Sequence, residues 1–499
     1  MTAACVIAID QGTTSTRVLV VDDRGRTIAS TRRELPLLCP RPGWVEHDPE
    51  RIWADVCSLI GESLARSKRS VLDVVGIGIA NQRETVVLWE RSTGRPVTNA
   101  IVWQDRRSTP MCHRLIADGA EPWVRRRTGL VLDPYFSASK VAWLLDNDTD
   151  LRRRADRGEL CAGTIDSFLV FRLTGGVHVT EPTNASRTML MDLETLAWDE
   201  DLLALFNVPQ KLLPEIRPSA EVFGETTASL GLGRQVPVAG ALGDQQSALF
   251  AQACFAPGLA KNTYGTGSFL LENIGTQRPL ADNLVVTVAF SAPAGPASYA
   301  LEGSIFATGA AVQWLRDGLG IIKAAEETAG LAASVADNDD VWFVPALSGL
   351  GAPYWDPAAR GALLGVTRGT TKAHVVRAVL ESIAYQTLDV TEAMAEAGRP
   401  VGELRVDGGG SANDWLMQFQ SDLLGIPIDV SSTIETTGLG AAYCAGLATG
   451  LWRDVKDLAQ LRRSGRRYEP HPGRVDRYHG HARWKEAVER ARHWAVRPP

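Results

Sequence analysis

The chain has 499 residues, 45% of them hydrophobic and 22% charged, and carries a net charge of −6. At about 100–200 residues per domain, that length calls for several domains and a large core, and the composition excludes a disordered chain. The slight acid excess argues against a protein that holds nucleic acid or an anionic membrane through general basic charge.

No run of about 18 apolar residues occurs, so no ordinary membrane-spanning helix is expected. The first residues lack a basic segment followed by a long apolar stretch, so no signal peptide is expected either. The 7 cysteines are scattered and never spaced Cys-x-x-Cys. That favours free thiols in a reducing cytoplasm over a disulfide framework or a zinc site. His479 and His481 lie together among Arg and Gly and read as part of a solvated tail.

Residues 5–9 read as a short apolar strand, 10–16 as a polar turn and 17–21 as a second strand; the chain turns again before a third strand at 27–29. Residues 74–79 form a buried strand ending at Asn81-Gln82-Arg83-Glu84. A shorter one at 100–102 leads to Trp103-Gln104-Asp105-Arg106-Arg107. Strand 236–239 precedes Asp244, which small residues bracket. The opening pattern then returns as strand 259–263, turn 264–268 and strand 269–271. Two such units half a chain apart predict two similar domains, residues 1–250 and 251–499, hinged without a flexible tether. Residues 374–397 carry Val376, Val379, Leu380 and Ile383 at helical spacing and stop at Gly398 and Pro400. A strand at 404–406, the turn Gly408-Gly409-Gly410 and a helix over 413–424 come next, with Ser411 as the expected cap. The alternation of strands and helices is that of an α/β protein.

The first turn combines several anion-binding features. Gly12 lets the backbone approach a ligand, and successive N–H groups can form an anion-binding concavity. Thr13, Thr14 and Ser15 add hydroxyl donors, and Arg17 adds a fixed positive charge. Asp10 would repel a phosphate, but it makes sense there if it holds a divalent cation, usually through water for Mg²⁺. An ordinary polar hairpin is the competing reading.

The turn Tyr264-Gly265-Thr266-Gly267-Ser268 offers the same apparatus without the acid, so two turns facing across a cleft could clamp one polyphosphate. Bare backbone at Gly408-Gly409-Gly410 before a helix N-terminus suits a nucleotide, though it equally suits a tight turn. No Gly-x-x-x-x-Gly-Lys-Ser/Thr, Gly-x-Gly-x-x-Gly or His-Arg-Asp loop occurs, so P-loop, dinucleotide and protein-kinase chemistries lose support. Asp244 could take a proton from a substrate hydroxyl as it attacks phosphorus, or merely cap the helix after it. Arg83 and Glu84 together could pair the hydroxyls of a small polyol, and Trp103 and Phe269 could wall its C–H faces. Asp133-Pro134-Tyr135-Phe136 adds a loop to this group; each of these residues could also be structural.

With these residues in place, the chain resembles the glycerol kinases of the FGGY carbohydrate kinase family almost end to end. The resemblance is carried by DQGTTSTR at 10–17, NQRET at 81–85, WQDRR at 103–107, DPYF at 133–136 and TNASRTML at 183–190. It continues through GDQQ at 243–246, KNTYGTG at 261–267, GLGAPYWDP at 349–357 and DGGGSANDWLMQFQ at 407–420. It implies two similar ribonuclease H-like domains of the actin/hexokinase type flanking a catalytic cleft. It also implies ATP and Mg²⁺ as cofactors and phosphorylation of glycerol to sn-glycerol 3-phosphate, the first step of glycerol catabolism. A cytoplasmic homo-oligomer, dimer or tetramer, without nucleic acid would go with that activity.

By the same resemblance, Thr13, Thr14, Ser15 and Arg17 match the first phosphate contacts. Thr266, Gly309, Gln313, Gly409 and Asn413 match the nucleotide contacts of the second domain. Arg83, Glu84, Tyr135, Asp244 and Gln245 match the residues that hold glycerol, with Trp103 and Phe269 as walls. Asp244 matches the general base and Asp10 the acid close to Mg²⁺. Gln235 stands where members inhibited by fructose 1,6-bisphosphate carry an Arg, and no His lies between His178 and His374, so neither that inhibition nor activation by His phosphorylation is expected. A kinase for another polyol or a ketose, such as erythritol or xylulose, shares the ATP turns. A non-catalytic ATPase switch leaves the polyol cluster unexplained.

Overall fold

The computed structural model describes residues 4–279, 281–398, 400–433, 435–473 and 475–495, the side chain of Ser229 set aside. Its first sheet is built from β1 (Cys5–Gln11), β2 (Ser15–Asp22), β3 (Thr27–Glu34), β4 (Val74–Asn81), β5 (Val222–Glu225) and β6 (Pro237–Gly243). Their spatial order is β5-β6-β4-β1-β2-β3. Strands β1 to β3 form an antiparallel meander, and β4 and then β6 extend it in parallel.

The second sheet uses β7 (Leu259–Tyr264), β8 (Ser268–Gly275), β9 (Val285–Phe290), β10 (Ser298–Ile305), β11 (Glu403–Gly408), β12 (Ile428–Ser431) and β13 (Ser464–Tyr468). Their order is β9-β10-β8-β7-β11-β12-β13. Here β7, β8 and β10 make the meander, and β11 and β12 are the parallel additions. A central strand with an antiparallel meander on one side and two parallel strands on the other therefore occurs twice. Both lobes are ribonuclease H-like.

Strand β1 is buried on both faces: Cys5, Val6, Ile7, Ala8 and Ile9 are all fully buried. A continuous apolar run is what a strand covered from both sides requires. One face is covered by α1 (Pro49–Ser67), which Asp48 caps by accepting from the Glu50 N–H at 2.9 Å with Pro49 in the first turn. Its Ile52, Val56, Leu59 and Ile60 form a stripe against Val18 and Val20.

The first sheet continues directly into α2 (Asp244–Ala251), and the second sheet carries α3 (Lys372–Glu396), α4 (Asp414–Leu424), α5 (Thr436–Ala448) and α6 (Arg477–Ala491) along its half of the chain. Helix α5 crosses back to the first lobe. Its Leu439, Ala441, Ala442 and Ala445 pack with Val6, Ala8, Leu19, Ala80 and Leu242. The approach is so close that a Cβ on Gly78 would lie 2.1 Å from the Ala441 carbonyl oxygen, and one on Gly440 1.9 Å from that of Ser247.

Three local expectations are corrected. The first turn shrinks to Gly12-Thr13-Thr14, closed by the Gly12 N–H on the Ser15 carbonyl at 3.0 Å, so Asp10 belongs to β1. Helix α4 is capped by Asn413, which accepts from the Leu416 N–H at 3.0 Å, whereas Ser411 donates to the Gly408 carbonyl at 2.7 Å. His481 is no tail residue: it is buried on α6 with Nε2 2.7 Å from Asp389 Oδ1, and only His479 of that pair is exposed. No helix among the described residues is long and apolar enough to cross a membrane.

Candidate active site

The register of the first sheet sets Gly243, Asn81 and Gln11 side by side at the ends of three parallel strands. The segments leaving these strands emerge at one edge, where open α/β sheets offer a ligand crevice. Gly12 and Thr13 extend from β1, Gln82 to Glu84 from β4, and Asp244 from β6. The Gln82 N–H donates to the Gln11 carbonyl at 2.8 Å and its side chain to that of Gly12 at 3.2 Å, which pins the turn to its neighbour. Trp103 Nε1 donates to Thr13 Oγ1 at 2.8 Å. Thr14 is exposed, and Thr13 and Ser15 are half-buried.

Asp10 sits opposite Arg17 across the hairpin, and Arg17 also pairs with Glu435, the residue just before α5. Burial pushes the Asp10 carboxyl up to about 6; the Arg17 guanidinium opposes the shift and the Asp244 carboxylate adds to it. Two acids that repel each other beside a phosphate-type turn are relieved by a divalent cation. Mg²⁺ suits them because it keeps several waters and takes one or two carboxylates with substrate phosphates. The described residues contain no cluster of three or more His, Cys, Asp or Glu that would cage a metal outright.

Asp244 opens α2, and its Oδ1 accepts from the Gln245 N–H at 2.7 Å and lies 3.2 Å from Arg83 Nε. Arg83 is buried, and its Nη1 and Nη2 fork onto Glu302 of β10 at 2.5 and 3.1 Å. Glu302 also takes Arg187 Nη2 at 3.2 Å, and Arg187 Nε donates to Glu84 at 2.5 Å. Glu84, Arg187, Glu302, Arg83 and Asp244 thus form a chain of alternating charge that passes from one lobe to the other and back. Burial would raise the Glu302 carboxyl, but Arg187 and Arg83 outweigh it and hold it at about 2.

Sequence reasoning missed Arg187 and Glu302. Arg187 lies inside the TNASRTML segment without a role of its own, and the signal for Glu302 was a lone carboxylate in a strand with no other charge.

Tyr135 meets Trp103 edge to face with ring centres 5.6 Å apart, and the Arg187 guanidinium lies over the Tyr135 ring at 5.6 Å. Lys140, fully buried, holds this loop by donating to the carbonyls of Pro134, Tyr135 and Phe136 at 2.7, 2.6 and 3.0 Å. Gln245 Oε1 accepts from Lys261 Nζ, which also donates to Thr263 Oγ1 at 3.0 Å. Burial pulls Lys261 down to about 8 against the attraction of Asp407 and Asp244. Phe269 is half-buried against the group that includes Leu249, Leu271 and Ala300.

A separate cavity of about 540 Å³ opens in the second lobe and is lined by Thr266, Gly309, Gln313, Gly409 and Asn413. Its size suits a nucleotide. The backbone builds it: the Gly309 N–H donates to the Gly265 carbonyl at 3.0 Å, and a Cβ on Gly309 would lie 2.5 Å from that oxygen. Gly408 has φ +84, and its Cβ would fall 2.4 Å from the Tyr264 carbonyl. Val312, Leu380, Ile383 and Leu416 supply an apolar wall, and Asn413 Nδ2 donates to Thr328 Oγ1 at 3.0 Å.

Two ribonuclease H-like lobes with an acid-bearing hairpin in one and a glycine-built cavity in the other define a phosphotransferase of the sugar-kinase type. The family models of the FGGY family of carbohydrate kinases match the chain twice, the N-terminal domain over residues 5–251 and the C-terminal domain over 260–449. The chain belongs to this family.

It is 50% identical over 495 residues to glycerol kinase 2 of Thermotoga maritima, covering 99% of each chain. It is 52% identical over 492 residues to the glycerol kinase of Trichlorobacter lovleyi, covering 98% of this chain and 99% of that one. A crystal structure of Plasmodium falciparum glycerol kinase with ADP superposes with a TM-score of 0.93 at 37% identity, over 98% of both chains. The xylulose kinase of Lactobacillus acidophilus, at 23% identity and a TM-score of 0.88, shares the fold.

Proposed function

We propose that this chain transfers the terminal phosphoryl group of ATP to glycerol, giving sn-glycerol 3-phosphate as the entry step of glycerol use, with Asp244 as general base. The observation that carries this reading is the position of Asp244, 3.2 Å from Arg83 Nε at the same sheet edge that carries the Gly12–Thr14 turn, in a chain half identical to glycerol kinases over its whole length.

A primary alcohol is a poor nucleophile near neutral pH, so the reaction needs alignment, charge stabilisation and a proton acceptor. Arg83, Glu84, Tyr135 and Gln245 orient the acceptor hydroxyls, and Trp103 and Phe269 supply apolar contact to its carbon chain. Asp244 takes the proton from the attacking hydroxyl. Thr13, Thr14, Ser15 and Arg17 hold the transferring phosphoryl group from the first lobe. Thr266, Gly309, Gln313, Gly409 and Asn413 hold the nucleotide from the second. Asp10 would hold Mg²⁺, which when bound would supply charge neutralisation on the phosphates. Arg17 is engaged by Glu435 here, so a phosphoryl group arriving at the hairpin must compete for that guanidinium.

The same reading takes residues 1–250 and 251–499 as the two domains, the cytoplasm as the location and a dimer or tetramer as the working form. The test is steady-state ADP release with Mg-ATP and glycerol, xylulose, erythritol, dihydroxyacetone or no acceptor. Glycerol-dependent release with sn-glycerol 3-phosphate as product supports the proposal. Preference for another acceptor overturns the substrate, and acceptor-independent hydrolysis alone overturns the kinase reading.

A further inference from the structure

The acceptor site borrows a buried carboxylate from the opposite lobe. Glu302 on β10 is fully buried, and its oxygens receive Arg83 Nη1 and Nη2, Arg187 Nη2 and Ser304 Oγ, the last at 3.3 Å. A guanidinium has two edges that can fork a carboxylate, and the forked pair is the stronger geometry. With the outer edge of Arg83 committed to Glu302, Nε is the nitrogen nearest Asp244, at 3.2 Å. Released from Glu302, Arg83 could turn and fork onto Asp244, occupying the oxygens that must meet a substrate hydroxyl. The Asp244 side chain keeps 27% of its surface exposed in the present arrangement.

We propose that Glu302 is a positioning residue of the acceptor site: it holds Arg83 by its outer edge and so keeps Asp244 open to the substrate hydroxyl. The inference rests on the kinase reading above. Because Glu302 comes from the second sheet and Arg83, Arg187 and Glu84 from the first lobe, it also ties the acceptor pocket to the contact between the lobes.

Glu302→Gln keeps the shape, removes the charge and leaves one oxygen to accept. The expected result is a rise in the KM for glycerol of about tenfold or more with a lower kcat, while ADP affinity by calorimetry stays within about twofold. Glu302→Asp, which keeps the charge on a shorter arm, should recover part of the loss. A KM within about threefold of the parent in Glu302→Gln overturns the proposal. So does a fall in ADP affinity that tracks the loss of glycerol binding, because a general structural defect would spare neither ligand.

If Glu302→Gln does not fold, Glu302→Asp carries the test: a raised glycerol KM with unchanged ADP affinity supports positioning, and an unchanged KM overturns it. The parent enzyme is assayed beside the variants with the full acceptor panel. Should the parent prefer another polyol, the glycerol assignment fails, and the same comparison run with that polyol still decides the role of Glu302.

Discussion

Arg83 Nε lies 3.2 Å from Asp244 Oδ1, while the outer edge of the same guanidinium is forked onto Glu302 of the other sheet. The aspartate therefore meets the Gln245 N–H and one guanidinium nitrogen at Oδ1 and remains partly open, as a proton acceptor in a cleft must be. Replacing it separates chemistry from binding. Asp244→Asn is expected to lower kcat by roughly 10²–10⁴ with unchanged ADP affinity, because the nucleotide cavity is lined from the second lobe. Steady-state kinetics beside calorimetry checks this, and near-normal turnover would remove Asp244 from the role of base.

The nucleotide cavity depends on the absence of one methyl group. Gly309→Ala places a Cβ 2.5 Å from the Gly265 carbonyl, so the turn that carries Thr266 must move. ADP affinity should fall by about tenfold or more, equivalent to about 1.4 kcal/mol, with little change in the KM for glycerol. Unaltered ADP binding would show that the two turns do not act together.

The contact between α5 and the first sheet should be the most sensitive structural seam. Gly78→Ala sets a Cβ 2.1 Å from the Ala441 carbonyl oxygen, backbone against backbone, with no flexible side chain to yield. Overpacking of this kind costs about 1–3 kcal/mol and sometimes more. A urea midpoint equal to that of the parent would mean that helix and sheet separate without penalty.

Stability should decline on the acid side for an identifiable reason. Burial lowers the rings of His47 and His178 from 6.5 to about 4. Between those values the unfolded chain binds more protons than the folded one, so the contribution of the neutral rings is complete above 6.5 and is lost as the pH falls toward 4. At about 1.4 kcal/mol per unit, each ring accounts for up to about 3 kcal/mol. His178 Nε2 lies 3.0 Å from the Ala162 carbonyl, a bond that an amide can replace without titrating. Urea midpoints across this range should therefore fall less steeply in His178→Gln than in the parent, and equal slopes would contradict the assignment.

The chemistry legible in the residues alone was held in short contiguous segments. Gly12 to Thr14 and Gly408 to Gly410 announce turns because glycine and short hydroxyl residues are the ones such turns favour, and the repeated strand–turn–strand exposed the second lobe. Glu302 could not be read in this way: its partners Arg83 and Arg187 lie 219 and 115 residues away, and the pairing exists only once both lobes are assembled. His481 looked solvated for the same reason, its partner Asp389 being 92 residues distant. Helix α5 shows no one-sided apolar stripe because small residues pack all round it, and periodicity is silent on such a helix. Ser411 and Asn413 are equally good caps by residue type, and only the backbone decides between them.

Helix α5 also sets the order in which the protein can be completed during synthesis. Ser247 donates to the carbonyl of Thr437, a residue made 190 positions later. At about 5–20 residues per second, that gap is roughly 10–40 s. Throughout it, the face of the first sheet formed by Val6, Ala8, Leu19, Ala80 and Leu242 lacks the cover of α5. A first lobe expressed alone would keep that face without its helix; the finishing piece is one of the last helices to leave the ribosome.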